Sequence, residues 1–323
     1  MTPASPGIII AALLLDLVIG DPRWLPHPVV QIGRLISFLE PRLRAMFRDT
    51  RAAGVALLVL TVAVSAGAAW LVLALARAVA PLCHTISAAA VSCTCLAARS
   101  LHRESALVAR ALHEGDIGTA RQRLAMIVGR DTDRLDEAGI WRALIETVSE
   151  NTSDGIIAPL FWLTVGGPVA GIAYKAVSTL DSMVGYRNER YLLFGRASAR
   201  MDDLLNFVPA RLTVLLMVLS APLAGLSARG AARIALRDRR NHPSPNSGHP
   251  EAAAAGALGV RLGGPATYGG VTSLKKHIGD PLHPLDERAY RGMIRLMYLT
   301  TLLMAAACAA AAIFWGGLHV PFS

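Results

Sequence analysis

Charge is scarce in this chain. Only 17% of its 323 residues are Asp, Glu, Lys or Arg, against 53% hydrophobic residues and a mean hydropathy of +0.44. That balance excludes a disordered chain and a collagen-like repeat. Aromatics are only 6%, so the apolar mass is Ala, Leu and Val, the mix of lipid-facing helices rather than of a sandwich or barrel core. Cysteine is sparse too. Cys83, Cys93, Cys95 and Cys308 all sit in apolar blocks, which excludes a disulfide scaffold, and no second pair or nearby His cluster completes a zinc site. Familiar catalytic signatures are missing: no G-x-x-x-x-G-K-[ST] loop, no G-x-G-x-x-G after a strand, no G-x-S-x-G elbow and no H-E-x-x-H helix.

Long stretches lack charge altogether. Residues 52–76, 78–98, 155–174, 212–228 and everything after Arg295 contain no Asp, Glu, Lys or Arg. A helix needs roughly 20 residues to cross a hydrocarbon core about 30 Å thick. The first three blocks and the tail qualify, and 212–228 is marginal. Residues 7–20 are apolar but short and interrupted by Asp16, with no preceding Lys or Arg and no small-residue cleavage site; they read as a retained, short or interfacial helix. The expected fold is therefore all-α: a polytopic helical integral membrane protein with four to five apolar spans, forming one integrated domain over residues 1–323. Sidedness stays open. Strict alternation with residues 21–51 in the cytoplasm sends the basic 175–211 segment outside. Alternatively, 155–174, with Gly166-Gly167-Pro168, and 212–228 are re-entrant or broken segments.

The 32 basic against 23 acidic residues leave a formal charge of +9. The basic residues are spread through the loops without an aromatic-interleaved patch, so positive flanks on membrane spans account for them and no nucleic-acid partner is expected.

Polar segments alternate with the apolar blocks. Asp116 should cap a helix through Val128, ended by Gly129. In the next helix, Ile140, Trp141, Leu144, Ile145 and Val148 mark a buried stripe, with Glu146 and Glu150 opposite. If that helix continues, Glu146, Glu150 and Asp154 fall on one face and repel unless a cation sits among them. Glu150 and Asp154, with Asn151 beside them, suit Mg²⁺; a solvated helix end is the equal alternative. Lys175, Arg187 and Arg190, with Asn188 among them, can hold phosphate or carboxylate, and Asp202-Asp203 suits a second metal or a helix cap. A third cluster, His242, Asn246, Ser247, His249 and Glu251, lies in and directly after a Pro-rich stretch, 241–250, that should not be helical. It belongs to a long irregular loop, the kind of segment that carries function.

Five stretches resemble the CobD/CbiB family of cobalamin-biosynthesis membrane proteins. They are Leu15-Asp-Leu-Val-Ile-Gly-Asp-Pro-Arg-Trp-Leu-Pro-His-Pro28, Glu150-Asn-Thr-Ser-Asp-Gly-Ile-Ile-Ala-Pro-Leu-Phe161, Ala173-Tyr-Lys-Ala-Val-Ser-Thr-Leu-Asp-Ser-Met-Val-Gly-Tyr-Arg-Asn188, Asp202-Asp-Leu-Leu-Asn-Phe-Val-Pro-Ala-Arg211 and His242-Pro-Ser-Pro-Asn-Ser-Gly-His-Pro-Glu251. They run in order over nearly the whole chain, with Ser178 standing where the family usually shows Asn. The resemblance implies adenosylcobinamide-phosphate synthase activity: ATP-dependent amide formation between aminopropanol phosphate, or a related amino alcohol, and the free propionate carboxylate of adenosylcobyric acid, through an acyl phosphate. It also implies ATP and Mg²⁺ as cofactors, a corrinoid substrate, other membrane enzymes of the cobalamin pathway as partners, and a multi-pass place in the cell (inner) membrane with catalytic loops facing the cytoplasm. On that chemistry Glu150, Asp154, Asp202 and Asp203 are expected to hold the metal. Lys175, Arg187 and Arg190 would offset phosphoryl charge, and His242 or His249 would accept the amine proton. Asn151, Asn188, Asn246, Ser247 and Glu251 are the remaining binding candidates. A non-catalytic corrinoid-binding or transport protein is the alternative; it should bury its polar residues midway along the spans.

Overall fold

The computed structural model describes residues 5–20, 27–186 and 188–318. Twelve α-helices and one β-hairpin are found among them: α1 Pro6–Val18, α2 Pro28–Met46, α3 Thr50–Val79, α4 Pro81–Cys93, α5 Ala98–His113, α6 Ile117–Ala125, α7 Glu137–Thr152, α8 Ala158–Val184, α9 Arg196–Ser220, α10 Ala228–Asp238, α11 Gly248–Leu258, β1 Leu262–Tyr268, β2 Val271–Ile278 and α12 Glu287–Leu318. Five helical segments are long and apolar enough to cross a membrane: Thr50–Val79, Pro81–His113, Glu137–Val184, Arg196–Ser220 and Glu287–Phe314. The chain is thus a polytopic helical membrane protein, as the charge-free blocks predict.

Two compact units divide the chain, one of residues 1–97, 158–206 and 305–323, the other of 98–157 and 207–304. In the first, α2, α3 and α8 pack around Ile32, Ile36, Leu57, Leu180, Val184 and Phe194. Helix α3 begins at the N-cap Asp49, whose carboxylate accepts from the Arg51 N–H. It buries a stripe through Ala53, Leu57, Thr61, Ser65, Ala69 and Leu73, while Val55, Val59, Val64, Leu71, Val72 and Leu75 stay exposed. At about 45 Å, this helix is longer than a hydrocarbon core is thick. A continuous apolar outer face of that length is stable only when lipid covers it.

Helix α8 breaks where the Gly166-Gly167-Pro168 triplet foretells. Gly167 has φ +70°, open to glycine at no cost, and Pro168 has no N–H to continue the ladder. Upstream, residues Ser153–Ile157 widen into a π-helical turn that joins α7 to α8, so Asp154 does not follow Glu146 and Glu150 in α-helical register.

The second unit departs from expectation in three places. Asp116 does cap α6, accepting from the Thr119 N–H at 2.9 Å, but the helix ends at Ala125 rather than Val128. Glu146 is as buried as the apolar stripe it was set against, because α5, α6, α11 and β1 surround α7 on several sides. The long loop expected to be irregular spans residues 229–295, and most of it is regular. Residues 239–247 and 279–286 are its two longer irregular pieces; α11 starts at Gly248 with Pro250 in its first turn, where a missing N–H costs nothing. Every residue of α11 is buried, since a helix of Ala and Gly lets neighbours approach closely. The hairpin that follows turns through Gly269-Gly270 and contains a bulge at Gly263. These are the only strands among the described residues.

Candidate active site

In the second unit, α7 and the loop before it, the 239–247 segment, α11 and the hairpin bring together three glutamates and three basic side chains. Glu146 is clasped on both oxygens. Oε2 accepts from Arg130 Nη2, and Oε1 accepts from the Gly263 N–H at 2.7 Å. Gly263 can offer that N–H because its φ of +78° turns the backbone out of the ladder, and a Cβ there would strike the Lys276 carbonyl. Burial pulls on the Arg130 guanidinium, but the Glu146 carboxylate overrides it and holds Arg130 above its ordinary range. This is the cation that a face bearing Glu146 and Glu150 requires.

One turn on, Glu150 Oε1 accepts from the Ser247 hydroxyl at 2.8 Å. Glu251 rises from the first turn of α11 with its side chain 4% exposed, and its Oε1 lies 3.7 Å from His242 Nε2. Burial, reinforced by Glu146 and Glu150, pushes the Glu251 carboxyl well above the usual carboxylate range; Lys275 and Arg130 oppose this only in part. His242 Nδ1 accepts from the Ser244 N–H at 3.1 Å. A neutral imidazole bonded in this way carries its proton on Nε2, where Glu251 and, at 3.4 Å, Lys275 Nζ are its neighbours. Burial lowers the His242 pKa, while Glu150 works the other way.

Two of the three predicted clusters therefore meet: Glu150 stands with His242, Ser247 and Glu251. Asn246 is buried nearby and accepts from Arg211 Nη1 at 3.2 Å. His249, in the first turn of α11, is drawn down to about 4, first by burial and then by Arg211, Arg239 and Arg240. Asn151 spends its amide N–H on the Thr147 carbonyl of its own helix at 3.0 Å. Asp154 is half-buried in the π-helical turn.

The other predicted residues belong to the first unit. Lys175 is half-buried on α8. Arg190 Nη2 donates to Glu40 Oε1 at 3.0 Å, as does Arg44 Nε at 3.1 Å, so Arg190 helps tie residues 188–195 to α2. Asn188 closes a turn by accepting from the Tyr191 N–H at 3.0 Å. Asp202 accepts from Asn206 Nδ2 at 3.0 Å, and Asn206 in turn accepts from the Tyr174 hydroxyl at 2.8 Å. Asp203 is half-buried. Arg187 and residues 21–26 of the N-terminal motif lie outside the described residues.

Among the described residues no group of three or more His, Cys, Asp or Glu side chains is disposed to hold a metal ion. A Mg²⁺ ion carried by a nucleotide needs less, one or two carboxylates in addition to the phosphates. Glu150 fits that requirement better than Glu146, whose two oxygens are taken. Glu146 itself, Arg130 and Lys275 were not among the sequence's site candidates. The spacing of Glu146 from Glu150 hinted at the first; nothing local marks the other two.

Residues 9–297 match the family model described as CobD/Cbib protein. The chain is 65% identical over 320 residues to Cobalamin biosynthesis protein CobD of Pelobacter propionicus, covering 99% of each chain. It is 47% identical over 303 residues to Cobalamin biosynthesis protein CbiB of Salmonella typhi, covering 93% of this chain and 95% of that one. With the CobD protein of Listeria monocytogenes serovar 1/2a it shares 44% over 293 residues, 90% of this chain and 93% of the other. No solved structure matches.

Proposed function

The chain belongs to the CobD/CbiB family, and from that premise we propose that it serves cobalamin biosynthesis as the enzyme that joins an amino alcohol phosphate to the free propionate carboxylate of adenosylcobyric acid. The product is adenosylcobinamide phosphate. ATP supplies the activation, converting a carboxylate oxygen into a phosphate leaving group. The amine arrives as an ammonium ion and must lose a proton before it attacks, so the site needs an acceptor matched to neutral pH.

The observation that carries the reading is the buried Glu251–His242 pair beside Glu150 and Lys275. Once it has given up its proton, a carboxyl held well above its usual range is a stronger base toward an ammonium ion than an acetate-like carboxylate. His242, with its proton on Nε2, orients toward that carboxyl. His249 is a weaker choice, since three arginines oppose a positive charge there. Glu150 is assigned to the Mg²⁺ that the nucleotide brings. Lys275 offsets negative charge gathering at the carboxylates. Glu146 and Glu150 precede the apolar 155–174 stretch instead of lying midway along it, which favours a catalytic surface over a transport path.

The test is direct. Purified protein with adenosylcobyric acid, aminopropanol phosphate, ATP and Mg²⁺ should yield the amide, detected by mass. Glu251→Gln and Glu150→Gln should each lower turnover by about 10²-fold or more while the protein still inserts and melts near the wild-type temperature. No amide from competent substrates, or wild-type rates in both variants, refutes the proposal.

A further inference from the structure

A cleft whose residues have no role in the reaction proposed above lies toward the other end of α11. It encloses about 500 Å³, within the range of small-molecule sites. Its floor is the crossing of α10 and α11, where Gly230 and Gly256 bring the two backbones so close that a Cβ on either would run into the other's carbonyl. Its walls are the start of α10, the loop through Asp280 and His283, and the first turns of α12.

Arg229, Arg233, Arg288 and Arg295 line the cleft against two carboxylates, Asp280 and Asp286. Both carboxylates are engaged. Asp280 accepts from Arg233 Nη2 and from Arg237 Nη2, each at 2.8 Å. Asp286 accepts from the Ala289 N–H at 2.9 Å, at the start of α12. Among the described residues no carboxylate pairs with Arg229, Arg288 or Arg295. Three guanidinium groups around one concavity repel each other until an anion enters, and their planar forks match phosphate oxygens. The lining contains no Phe, Tyr or Trp, so recognition runs through charge and not through stacking on a base or ring.

We propose that this cleft binds the phosphate group of a small anionic ligand through Arg229, Arg288 and Arg295. Two sources share that chemistry: a soluble phosphomonoester or polyphosphate, and a phospholipid headgroup, since α12 is a candidate span and its first turns form one wall. None of the three arginines has a part in the amide-forming reaction above. Binding is measured without turnover, so this inference and that reading fail separately.

Full-length protein in detergent is titrated calorimetrically with tripolyphosphate. Saturable binding is expected, weakened about tenfold in each of Arg229→Ala, Arg288→Ala and Arg295→Ala and abolished in the triple variant, because a charge-assisted contact accounts for roughly that factor. Arg110→Ala, on the exposed face of α5, leaves binding unchanged. The single variants replace exposed side chains and keep the test valid if the triple variant does not fold. A second arm repeats the titration in nanodiscs. Binding that persists in phosphatidylcholine but is displaced in phosphatidylglycerol supports the cleft and assigns it to a headgroup; equal binding in both assigns it to a soluble phosphate. No saturable binding by the wild type in either arm, or single variants that bind as tightly as wild type, overturns the proposal.

Discussion

The Arg130–Glu146 pair offers the sharpest test of how the second unit is held together. Its side chains are 12% and 4% exposed, so neither charge keeps much water when the other is removed. Arg130→Met leaves Glu146 with one donor, the Gly263 N–H, in a site that already holds Glu150 and Glu251. Breaking a buried pair in this way costs about 3–5 kcal/mol. Glu146→Gln strands the cation instead and should cost about as much. The double variant Arg130→Met with Glu146→Gln strands neither charge. Its amide oxygen still accepts from Gly263, and it should recover to within about 1–2 kcal/mol of wild type. Unfolding in mixed micelles of detergent and SDS, run as a double-mutant cycle, measures the coupling. Losses below about 1 kcal/mol in both single variants, or losses that simply add in the double variant, would show that Glu146 and Arg130 do not compensate each other as described.

Other outcomes follow from the same packing. His249, held at about 4 by burial and by Arg211, Arg239 and Arg240, is uncharged in the folded protein where the unfolded chain is protonated. Its contribution is therefore full above about pH 6.5 and is lost as pH falls toward 4, so His249→Asn should flatten the stability profile in that window by up to about 1.4 kcal/mol per pH unit; an unchanged slope counts against the assignment. Gly256→Ala should destabilise by about 1–3 kcal/mol because its Cβ meets the Gly230 carbonyl across the α10–α11 crossing. Gly67→Ala on α3, where nothing lies within 4 Å of the added Cβ, should be neutral or stabilise by up to about 1 kcal/mol. Equal melting shifts in the two variants would refute the close crossing.

The spans were legible because the physics that selects them is one-dimensional. A charge in hydrocarbon is costly wherever the chain goes, so 52–76 announces α3 without any knowledge of its neighbours. The Gly166-Gly167-Pro168 break was equally local, a backbone requirement written in three residues. Residues 229–295 failed for the opposite reason. Pro245 and Pro250 bias against helix in isolation, yet Pro250 falls in a first helical turn, and the Ala run of α11 has no amphipathic period to read because all its sides are covered. The hairpin did carry a signal, Gly269-Gly270 between Tyr268 and Val271, of the two-residue kind that closes hairpins. Glycines recur from Gly256 to Gly270, and among them that pair does not stand out.

The site divides along the same line. Glu150, His242, Ser247 and Glu251 could be picked out because carboxylates and imidazoles crowded beside proline and glycine are unusual for a structural segment. Their counter-charges could not, because Arg130 sits on a loop before α7 and Lys275 on a strand after α11. Only the fold sets these beside glutamates far along the chain. Formal charges then decide what state the cluster rests in. Arg130 cancels Glu146, and Lys275 is left to balance both Glu150 and Glu251. The sum is neutral only while Glu251 keeps a proton, which is the state that burial and the two neighbouring glutamates favour. Once that proton leaves, the cluster is one negative charge in excess at a place where water is scarce, and a cation is the cheapest remedy. In the proposed reaction, Glu251 releases its own proton to solvent as the ammonium-bearing substrate enters, and the emptied carboxylate then takes the proton that the nitrogen must lose before it attacks.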